Sequence, residues 1–385
     1  MAVHQPFTTI ASTLTLLLLI CSNGLTNAER VVCSFSTHAS QRPGEYSYQI
    51  ADIPVSLCTH LVYDHLDIDY FTHELIPNNP AYDVLENGWQ KFSGLKRTNP
   101  DLKLLISVRS PILLEVAEDA TSRKTLIGHI LQQIEWMKVD GVELMWAGGN
   151  EDGLYMLLKE LKSSFIAAGH PTWEVSVLVQ IEQEVVDYAK LCRLVDFVHL
   201  LGIGERKPRY RDNSATPTAK TTLGVGELKN ASLERALDHF IETRCPANKI
   251  VLIVFLFAQT YTLGNAENGD GPTELNTLCT VTEGMPHCAY VEFCQKLNES
   301  EWTLGSDDPE GFAPHAIQSN RWVAYENEAS IGRQGEIARR KHLAGVYVFS
   351  LDLDDYRGKC GTLYPLTTAL SRSLTGRDKE VKQSK

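Results

Sequence analysis

Short apolar runs rich in β-branched residues recur along the whole chain, with longer amphipathic segments between them. Runs of this length and composition predict buried strands, and the segments between them have the periodicity of helices. Strands and helices that alternate in this way form a parallel sheet, and eight such units favour a closed (β/α)8 TIM barrel. The predicted strands are 30–36, 60–66, 103–108, 141–147, 174–179, 197–202, 250–257 and 345–351.

One interval is too long for a single connecting helix. Roughly seventy residues lie between the seventh predicted strand and the helix expected to begin near Ile331, and a structureless loop of that length is uncommon in a compact domain. We therefore expect a small α+β insertion domain after the seventh strand. The predicted divisions are a barrel from 29–260 and 323–377, the insertion domain at 261–322 and a flexible tail at 378–385.

The first 28 residues predict a secretory signal peptide. They contain no Lys, Arg, Asp or Glu, their centre at 9–21 is apolar, and the small residues near Ala28 offer a cleavage site. The apolar run is short for a membrane span, which leaves an uncleaved anchor as the weaker alternative. No later stretch is apolar for long enough to cross a bilayer. The expected product is secreted and extracellular, beginning near Glu29.

Removal of the signal peptide removes Cys21 and leaves an even number of cysteines, which predicts four disulfides in an oxidising compartment. Metal ligation is the alternative, but the nearest cysteines lack a CxxC spacing, so no metal and no cofactor is predicted. Two sequons, at Asn230 and Asn298, predict N-glycans on the surface. The eight cysteines are Cys33, Cys58, Cys192, Cys245, Cys279, Cys288, Cys294 and Cys360.

The formal charge of −12 disfavours nucleic acid and anionic membranes as general partners. Basic residues are scattered or grouped along the chain, and solvated loops and helix faces explain them better than one basic site does. We expect a monomer.

Six segments carry a resemblance that becomes specific through their order and spacing over nearly the whole mature chain. They are Val31-Val32-Cys33, Leu57-Cys58-Thr59-His60, 104–108, 140–147, 289–294 and 351–355. Together they resemble the family 18 chitinases, a family of glycoside hydrolases. They resemble more closely the insect chitinase-like proteins, which include the imaginal disc growth factors and the mosquito bacteria-responsive proteins. The resemblance implies the same barrel and insertion.

The resemblance also implies two disulfides, Cys33 with Cys58 and Cys294 with Cys360. The four cysteines that remain would then pair as Cys192 with Cys245 and Cys279 with Cys288. That second step is an inference, because sequence alone does not fix connectivity.

In active members of this family the fourth strand carries a DxxDxDxE pattern, which falls on 140–147 and begins at Asp140 in this chain. Alternation along a strand predicts that Glu143, Met145 and Ala147 share the face directed into the barrel. In the family's mechanism the glutamic acid protonates the glycosidic oxygen, and the preceding aspartate orients the acetamido group of the substrate. Ala147 replaces the acid and Met145 replaces the aspartate. The resemblance therefore implies a chain without catalytic residues.

Two further segments depart from the family. Its Met-x-Tyr-Asp segment on the sixth strand becomes Leu201-Gly202-Ile203-Gly204, so Ile203 and Gly204 replace the polar supports of the acetamido group. At the end of the third strand Arg109 and Ser110 replace a Gly-Gly pair. An arginine there would narrow the cleft and make it more positive, unless its side chain folds away.

Sugar affinity in such clefts depends on aromatic faces. Phe349 occupies the position of the family's floor tryptophan, and His65 stands where phenylalanine is common. Trp146 remains, although packing explains a tryptophan at a strand end better than a sugar platform does. We therefore expect weak chitin binding or none.

Two acidic groups raise the possibility of a metal. His65, Asp67 and Asp69 alternate near the second strand, but they lack a fourth ligand. The aspartates at 352, 354 and 355 are expected to accept backbone hydrogen bonds or to pair with Arg357. Both groups favour ordinary loop roles.

Three functions follow, in order of preference. The first is a secreted, catalytically inactive protein that acts as a growth-factor-like or immune-modulating signal by binding an extracellular protein or receptor. The second is a lectin for chitin oligosaccharides. The third is an enzyme with different chemistry in the same barrel, for which His65 and Asp67 are the candidates.

Overall fold

The structure is a computed structural model that describes residues 30–180, 187–201, 206–209, 218–221, 233–243, 245–264, 273–274, 278–279, 287–299, 301–306 and 314–377. The predicted signal peptide, Ile203, Gly204, Asn230 and the predicted tail lie outside these ranges.

Eight parallel strands close into a barrel, as the sequence predicts. Each strand pairs with the next along the chain, and the first pairs with both the second and the last. All eight begin at the predicted residue and end within two residues of the predicted end. The barrel strands are β1 (Arg30–Ser36), β2 (His60–Ile68), β3 (Lys103–Val108), β4 (Gly141–Met145), β5 (Glu174–Gln180), β6 (Phe197–Leu201), β7 (Ile250–Phe255) and β8 (Gly345–Phe349).

Helices cover the outside of the barrel, and the main apolar core lies between them and the outward side chains of the strands. Several helices begin at a capping side chain: Asp119 accepts a hydrogen bond from the Ser122 N–H, and Asn150 accepts one from the Asp152 N–H. The α-helices of the barrel are Gly88–Ser93, Leu113–Glu118, Ala120–Met137, Glu151–Ala167, Tyr188–Leu194, Leu233–Thr243, Glu328–Arg340 and Pro365–Thr375. Short helical turns occupy Thr37–Gln41, Gly44–Tyr46, Ile50–Asp52, Ala81–Leu85, Gly94–Arg97, Ala247–Lys249 and Leu351–Leu353.

A second, antiparallel sheet follows β7 and has its own small core, which includes Ala258, Phe293 and Val323. Its strands are Phe257–Thr262, Thr273–Glu274, His287–Ala289, Thr303–Ser306, Pro314–Gln318 and Arg321–Ala324, and helix Tyr290–Glu299 packs with them. Strand and helix together agree with the expected α+β insertion. The sheet begins four residues before the predicted limit of 261 and ends two residues after the limit of 322, and the domain division itself stays a prediction.

Two short additions complete the described strands. Leu75–Pro77 pairs antiparallel with the end of β2, and Arg206–Arg209 pairs with Thr218–Thr221. The first of these pairings forms a hairpin whose turn, 69–74, is mostly exposed.

The four expected disulfides are all present, with the predicted partners. Cys33–Cys58 joins β1 to the segment before β2, and Cys294–Cys360 joins helix Tyr290–Glu299 to the loop after β8. Asn298, the sequon asparagine that the structure describes, is exposed, as a glycan requires. Within the described ranges, the helices are either too short or too polar to span a bilayer.

Candidate functional site

The inward side chains of the barrel strands form layers from the N-terminal end to the C-terminal end. On β4 the alternation is clear: Val142 and Leu144 belong to the outer core against the helices, whereas Met145 belongs to the inner core. Glu143 has the inward parity and is 2% exposed. The strand register places Glu143 level with Ser107 of β3 and Ser176 of β5.

Two side chains hold Glu143 inside the barrel. The Ser107 hydroxyl donates to Oε1 of Glu143 at 2.9 Å, and Nδ1 of His199 on β6 forms a short hydrogen bond with Oε2. His199 is fully buried. Both carboxylate oxygens are therefore engaged away from the C-terminal mouth, where substrates bind in TIM barrels.

Tyr347 of β8 completes this buried layer. Its ring meets the His199 ring edge-on, with centroids 5.0 Å apart. Burial raises the pKa of the Tyr347 phenol well above its usual range, and the nearby charges of Glu143 and Asp64 raise it further. Tyr347 is therefore neutral at physiological pH. Sequence reasoning missed His199 and Tyr347, although both have the inward parity of their strands.

Above this layer, the described end of β4 is apolar. Met145 lies beside Leu178 of β5 in the strand register and is partly buried. β4 ends at Met145, so the expected inward alternation does not extend to Ala147, whose side chain is exposed. Gly148 and Gly149 follow with φ angles of 114° and 105°, a conformation that side chains other than glycine rarely adopt.

Asp140, the first acidic residue of the degenerate pattern, lies at the opposite end of β4. Its carboxylate lies 2.6 Å from the Lys96 ammonium and accepts a hydrogen bond from the Leu104 N–H at 2.8 Å. Lys103 adds a second ammonium at 3.7 Å. These contacts join β4 to β3 and to the turn Gly94–Arg97, which is a structural role.

A group of aromatic rings lies at one side of the mouth. The ring of Phe349 meets that of Phe255 edge-on, with centroids 5.6 Å apart. The Phe255 and Phe257 centroids are 4.7 Å apart, and the Phe257 ring stacks on His287 with a centroid distance of 4.0 Å. All four rings are partly exposed. The sequence analysis identified Phe349 alone; the pattern of Phe255 and Phe257 around the end of β7 was the available signal.

Trp146 does not belong to this group. It is 2% exposed and packs in the outer core between the strands and the helices. Its ring therefore offers no face to a sugar, which is the packing role that the sequence favoured over a platform.

The other expected cleft residues are spread around the mouth. Arg109 is exposed, and within the part of the chain that the structure describes its guanidinium has no hydrogen bond or ion pair; Ser110 beside it is partly buried. His65 is partly buried, and its Nδ1 lies 3.4 Å from a carboxylate oxygen of Asp64. Both residues lie where the pairing register of β2 with β3 shifts, between Tyr63 and Leu66.

The two acidic groups have local structural roles. Asp69 accepts hydrogen bonds from Thr72 and from the Phe71 N–H in the hairpin turn, and Asp67 accepts one from the Ile68 N–H. Among the described residues, neither forms a cluster with His65 that could hold a metal. These contacts account for both aspartates without an ion.

The loop after β8 is held by its buried aspartates. Asp354 accepts hydrogen bonds from Thr367 and from the Leu366 N–H, and burial raises its pKa to about 6. Asp352 pairs with Arg42 at 2.5 Å. Of the two expected roles, backbone hydrogen bonding is found at Asp354 and Asp355, whereas Arg357 pairs with Asp52. One metal-like grouping is found here, Asp355 with Cys294 and Cys360, but these cysteines are joined in a disulfide.

A buried ion-pair network occupies the N-terminal end of the barrel. Arg30 of β1 donates to Glu174 of β5 at 2.9 and 3.3 Å, and Nε2 of His60 lies 3.4 Å from the same carboxylate. The Arg30 guanidinium also covers the Phe197 ring at 3.5 Å. Burial raises the pKa of Glu174, but interactions with His60 and Arg30 outweigh it and hold the pKa well below its usual range.

Comparison with known proteins settles the family. The sequence profile of the glycosyl hydrolases family 18 matches residues 30–354. The chain belongs to this family. An endochitinase of Manduca sexta is 27% identical over 381 residues, covering 90% of this chain and 67% of the relative. Human chitinase-3-like protein 2 is 24% identical and covers 90% of this chain and 93% of that protein.

Solved structures of family 18 members share the fold. The Ostrinia furnacalis group IV chitinase has a TM-score of 0.76 at 25% identity, over 90% of this chain and 99% of that one. Human YKL-39, described as a pseudo-chitinase with retained chitooligosaccharide binding properties, has a TM-score of 0.75 at 24% identity, over 90% of this chain and all of the other. The fold thus occurs both in chitinases and in a chain described as a pseudo-chitinase. Fold alone does not decide between them.

Proposed function

We propose that this family 18 chain is a secreted, non-hydrolytic chitinase-like protein of the insect type, and that it acts as a growth-factor-like or immune-modulating signal by binding an extracellular protein. The uncharged apolar leader at 1–28 and the four disulfides support secretion.

The geometry of β4 carries the proposal that the chain does not hydrolyse chitin. General acid catalysis requires a carboxyl group within hydrogen-bonding reach of the leaving oxygen. The carboxyl group on this strand is Glu143, which is buried and engaged by Ser107 and His199. The side chains closer to the mouth are Met145 and Ala147, which have no ionisable group.

An exposed aromatic turn favours a protein partner. Tyr70 and Phe71 lie in the hairpin after β2, and they are 60% and 86% exposed. Their rings meet edge-on at 5.2 Å, so the two form one apolar surface. Large aromatic side chains at a loop tip are typical anchors of protein interfaces, because they bury much apolar area with few rotatable bonds.

A photo-crosslinker tests this surface. We would place benzoylphenylalanine at position 71 of the secreted protein and irradiate it on cells that respond to the parent protein. Ile166 is the matched control position, because it is 61% exposed on helix Glu151–Ala167. One crosslinked cell-surface protein from position 71, absent from position 166 and competed by unlabelled parent, is the expected result. Equal labelling from both positions would contradict the assignment of the hairpin.

A chitin-oligosaccharide lectin is the second candidate, and the rings of Phe255, Phe257 and Phe349 favour it. Partly exposed aromatic rings at the mouth of a family 18 barrel offer faces to pyranose rings. Calorimetric titration with chitin oligomers of increasing length separates the candidates. Affinity that rises with length and falls in Phe349→Ala supports the lectin, whereas no heat at millimolar oligomer leaves the protein-binding proposal as the better one.

A further inference from the structure

A pocket lies on the outer flank of the barrel. It is formed where helix Gly88–Ser93 and helix Ala120–Met137 meet the hairpin after β2, and its volume is about 290 Å³. This is close to the lower limit of small-molecule sites, about 300 Å³, and suits a ligand of one or two small rings. Its lining residues are Glu74, Leu75, Trp89, His129, Gln132, Gln133 and Trp136.

Two hydrogen-bond donors in the wall lack acceptors. The indole nitrogen of Trp89 and the amide nitrogen of Gln133 are shielded from bulk water, and neither has a hydrogen-bond partner among the described residues. Trp89 is 9% exposed. Most buried donors in proteins are paired, so these two unpaired donors beside one pocket are groups that the acceptors of a bound ligand would satisfy.

Trp136 gives the pocket an aromatic wall. It is 51% exposed, which is unusual for a tryptophan on a helix that covers a barrel. Its ring meets the Trp89 ring edge-on, with centroids 5.1 Å apart. That contact fixes the orientation of Trp136, so a ligand that stacks on its face meets a rigid surface.

The remaining wall supplies acceptors. Nδ1 of His129 lies 2.8 Å from the backbone oxygen of His73. A carbonyl oxygen only accepts, so Nδ1 donates in this contact, and in the tautomer protonated on Nδ1 alone Nε2 is an acceptor. Glu74 adds an exposed carboxylate. The pocket thus combines donors, acceptors and one aromatic face within a small volume.

We propose that this flank pocket binds a neutral pyranose unit of a glycan, stacked on Trp136 and hydrogen-bonded to Trp89 and Gln133. Sugar hydroxyl and acetamido groups both donate and accept, which matches the mixed wall, and the C–H face of a pyranose matches the indole face. The Glu74 carboxylate disfavours an acidic sugar. The pocket shares no residue with the aromatic rings at the barrel mouth, and although Glu74 belongs to the hairpin turn 69–74, neither Tyr70 nor Phe71 lines the pocket.

Indole ¹⁵N–¹H spectra of the tryptophan-labelled full-length secreted protein test the proposal. The chain has six tryptophans, and Trp89→Phe and Trp136→Phe assign the two resonances of the pocket. The probes are N,N′-diacetylchitobiose, cellobiose and lactose at millimolar concentration, with glucuronate as the acidic comparison. We expect the Trp89 and Trp136 signals to shift with at least one neutral disaccharide and to stay fixed with glucuronate.

Two variants make the outcome decisive. Gln133→Leu removes the amide donor while keeping the side-chain size, and should weaken the saturable shift at least tenfold. Gln90→Leu, at an exposed position on helix Gly88–Ser93 outside the pocket, should leave it unchanged. Three outcomes would overturn the proposal. The signals could stay fixed with all of the neutral probes, the shift could persist in Gln133→Leu, or it could be lost in Phe349→Ala. The last outcome would place sugar binding at the mouth.

Discussion

The two ends of the barrel interior differ in their charged contacts. The lower interior holds two buried polar groups, Arg30 and His60 with Glu174 and, above them, Glu143 with His199, among apolar side chains such as Val32 and Val251. At the mouth the inward side chains of β4, β7 and β8 are Met145, Phe255 and Phe349, with Asp64 on β2 as the acidic exception.

In TIM-barrel enzymes the C-terminal mouth holds the reactive groups, and the N-terminal end serves stability. In this family 18 chain the N-terminal end has several charged contacts, whereas the described inward side chains of β4, β7 and β8 at the mouth are apolar. Fold and catalysis therefore depend on different layers of the same strands. A sequence can lose the second while it keeps the first.

The largest effect is expected from breaking the buried pair in the lower interior. His199→Leu leaves the Glu143 carboxyl group buried without its imidazole partner, and removal of one member of a buried pair costs about 3 to 5 kcal/mol in the free energy of unfolding. Replacing both residues by leucine should recover much of that loss, because no buried charge then remains. Urea unfolding of the two variants measures the difference; a loss below about 1 kcal/mol for His199→Leu would contradict the pairing.

A smaller effect on the free energy of unfolding is expected from the Glu174 ion pairs at the N-terminal end of the barrel, and this effect depends on pH. The pKa of Glu174 is depressed in the folded protein, so its contribution is present above the unfolded pKa of about 4.3 and is lost as pH falls towards the folded pKa. The charged hydrogen bonds from Arg30 contribute about 1.5 to 3 kcal/mol. We expect Glu174→Gln to lower the free energy of unfolding at pH 7.

The difference between parent and Glu174→Gln should then shrink as pH falls from about 5 towards the depressed folded pKa, because the unfolded parent chain binds a proton at Glu174 in that window while the folded carboxylate stays charged. Urea unfolding at several pH values checks this. A difference that stays constant across the window would show that Glu174 is not held ionised by Arg30 and His60.

Much of the barrel was predictable from sequence, because strand positions and side-chain alternation depend on neighbouring residues in the chain. The β-branched runs fixed where all eight barrel strands begin, since buried strands need such residues. Alternation along β4 placed Glu143 inside. The partner of Glu143 was harder to predict. His199 has the inward parity of β6, but which residues of two strands lie at the same level depends on the register of the barrel. That register cannot be derived from the sequence of either strand alone.

The remaining features depend on contacts between distant segments. Trp89 and Trp136 are separated by 47 positions and meet on the flank of the barrel because two helices pack side by side. The strand expected to reach Ala147 ends at Met145, since the loop there turns at Gly148 and Gly149. Strand ends depend on where neighbours stop pairing, which makes the mouth less predictable than the layers below it.

A moderate effect is expected from enlarging the aromatic surface at the mouth. Phe349→Trp adds ring area beside Phe255, and an aromatic contact contributes about 0.5 to 1.5 kcal/mol, which is at most about tenfold in affinity. Calorimetry with a chitin tetramer measures it, and Ile166→Trp on an exposed helix is the matched control. If neither variant binds the tetramer, the mouth is not a sugar surface and the lectin alternative fails.

The smallest effect, none above background, is expected from Ala147→Glu. A general acid supplies a factor of about 100 to 10,000 only when the reacting groups are aligned. Ala147 lies beyond the end of β4, before two glycines, so a glutamate there would not be held by strand pairing. Met145 cannot orient an acetamido group.

The test of Ala147→Glu is release of a fluorescent leaving group from a chitobioside, with Ala147→Gln as the control of equal size that has no proton to give. A multiple variant that also carries Met145→Asp, Ile203→Tyr and Gly204→Asp restores the rest of the family pattern. Groups that act as a unit contribute non-additively, so the single variant should match its glutamine control, and turnover should first arise in the multiple variant. Turnover by Ala147→Glu above that of Ala147→Gln would mean that the mouth still aligns a substrate. That result would contradict the proposal that this end of the barrel has no catalytic function.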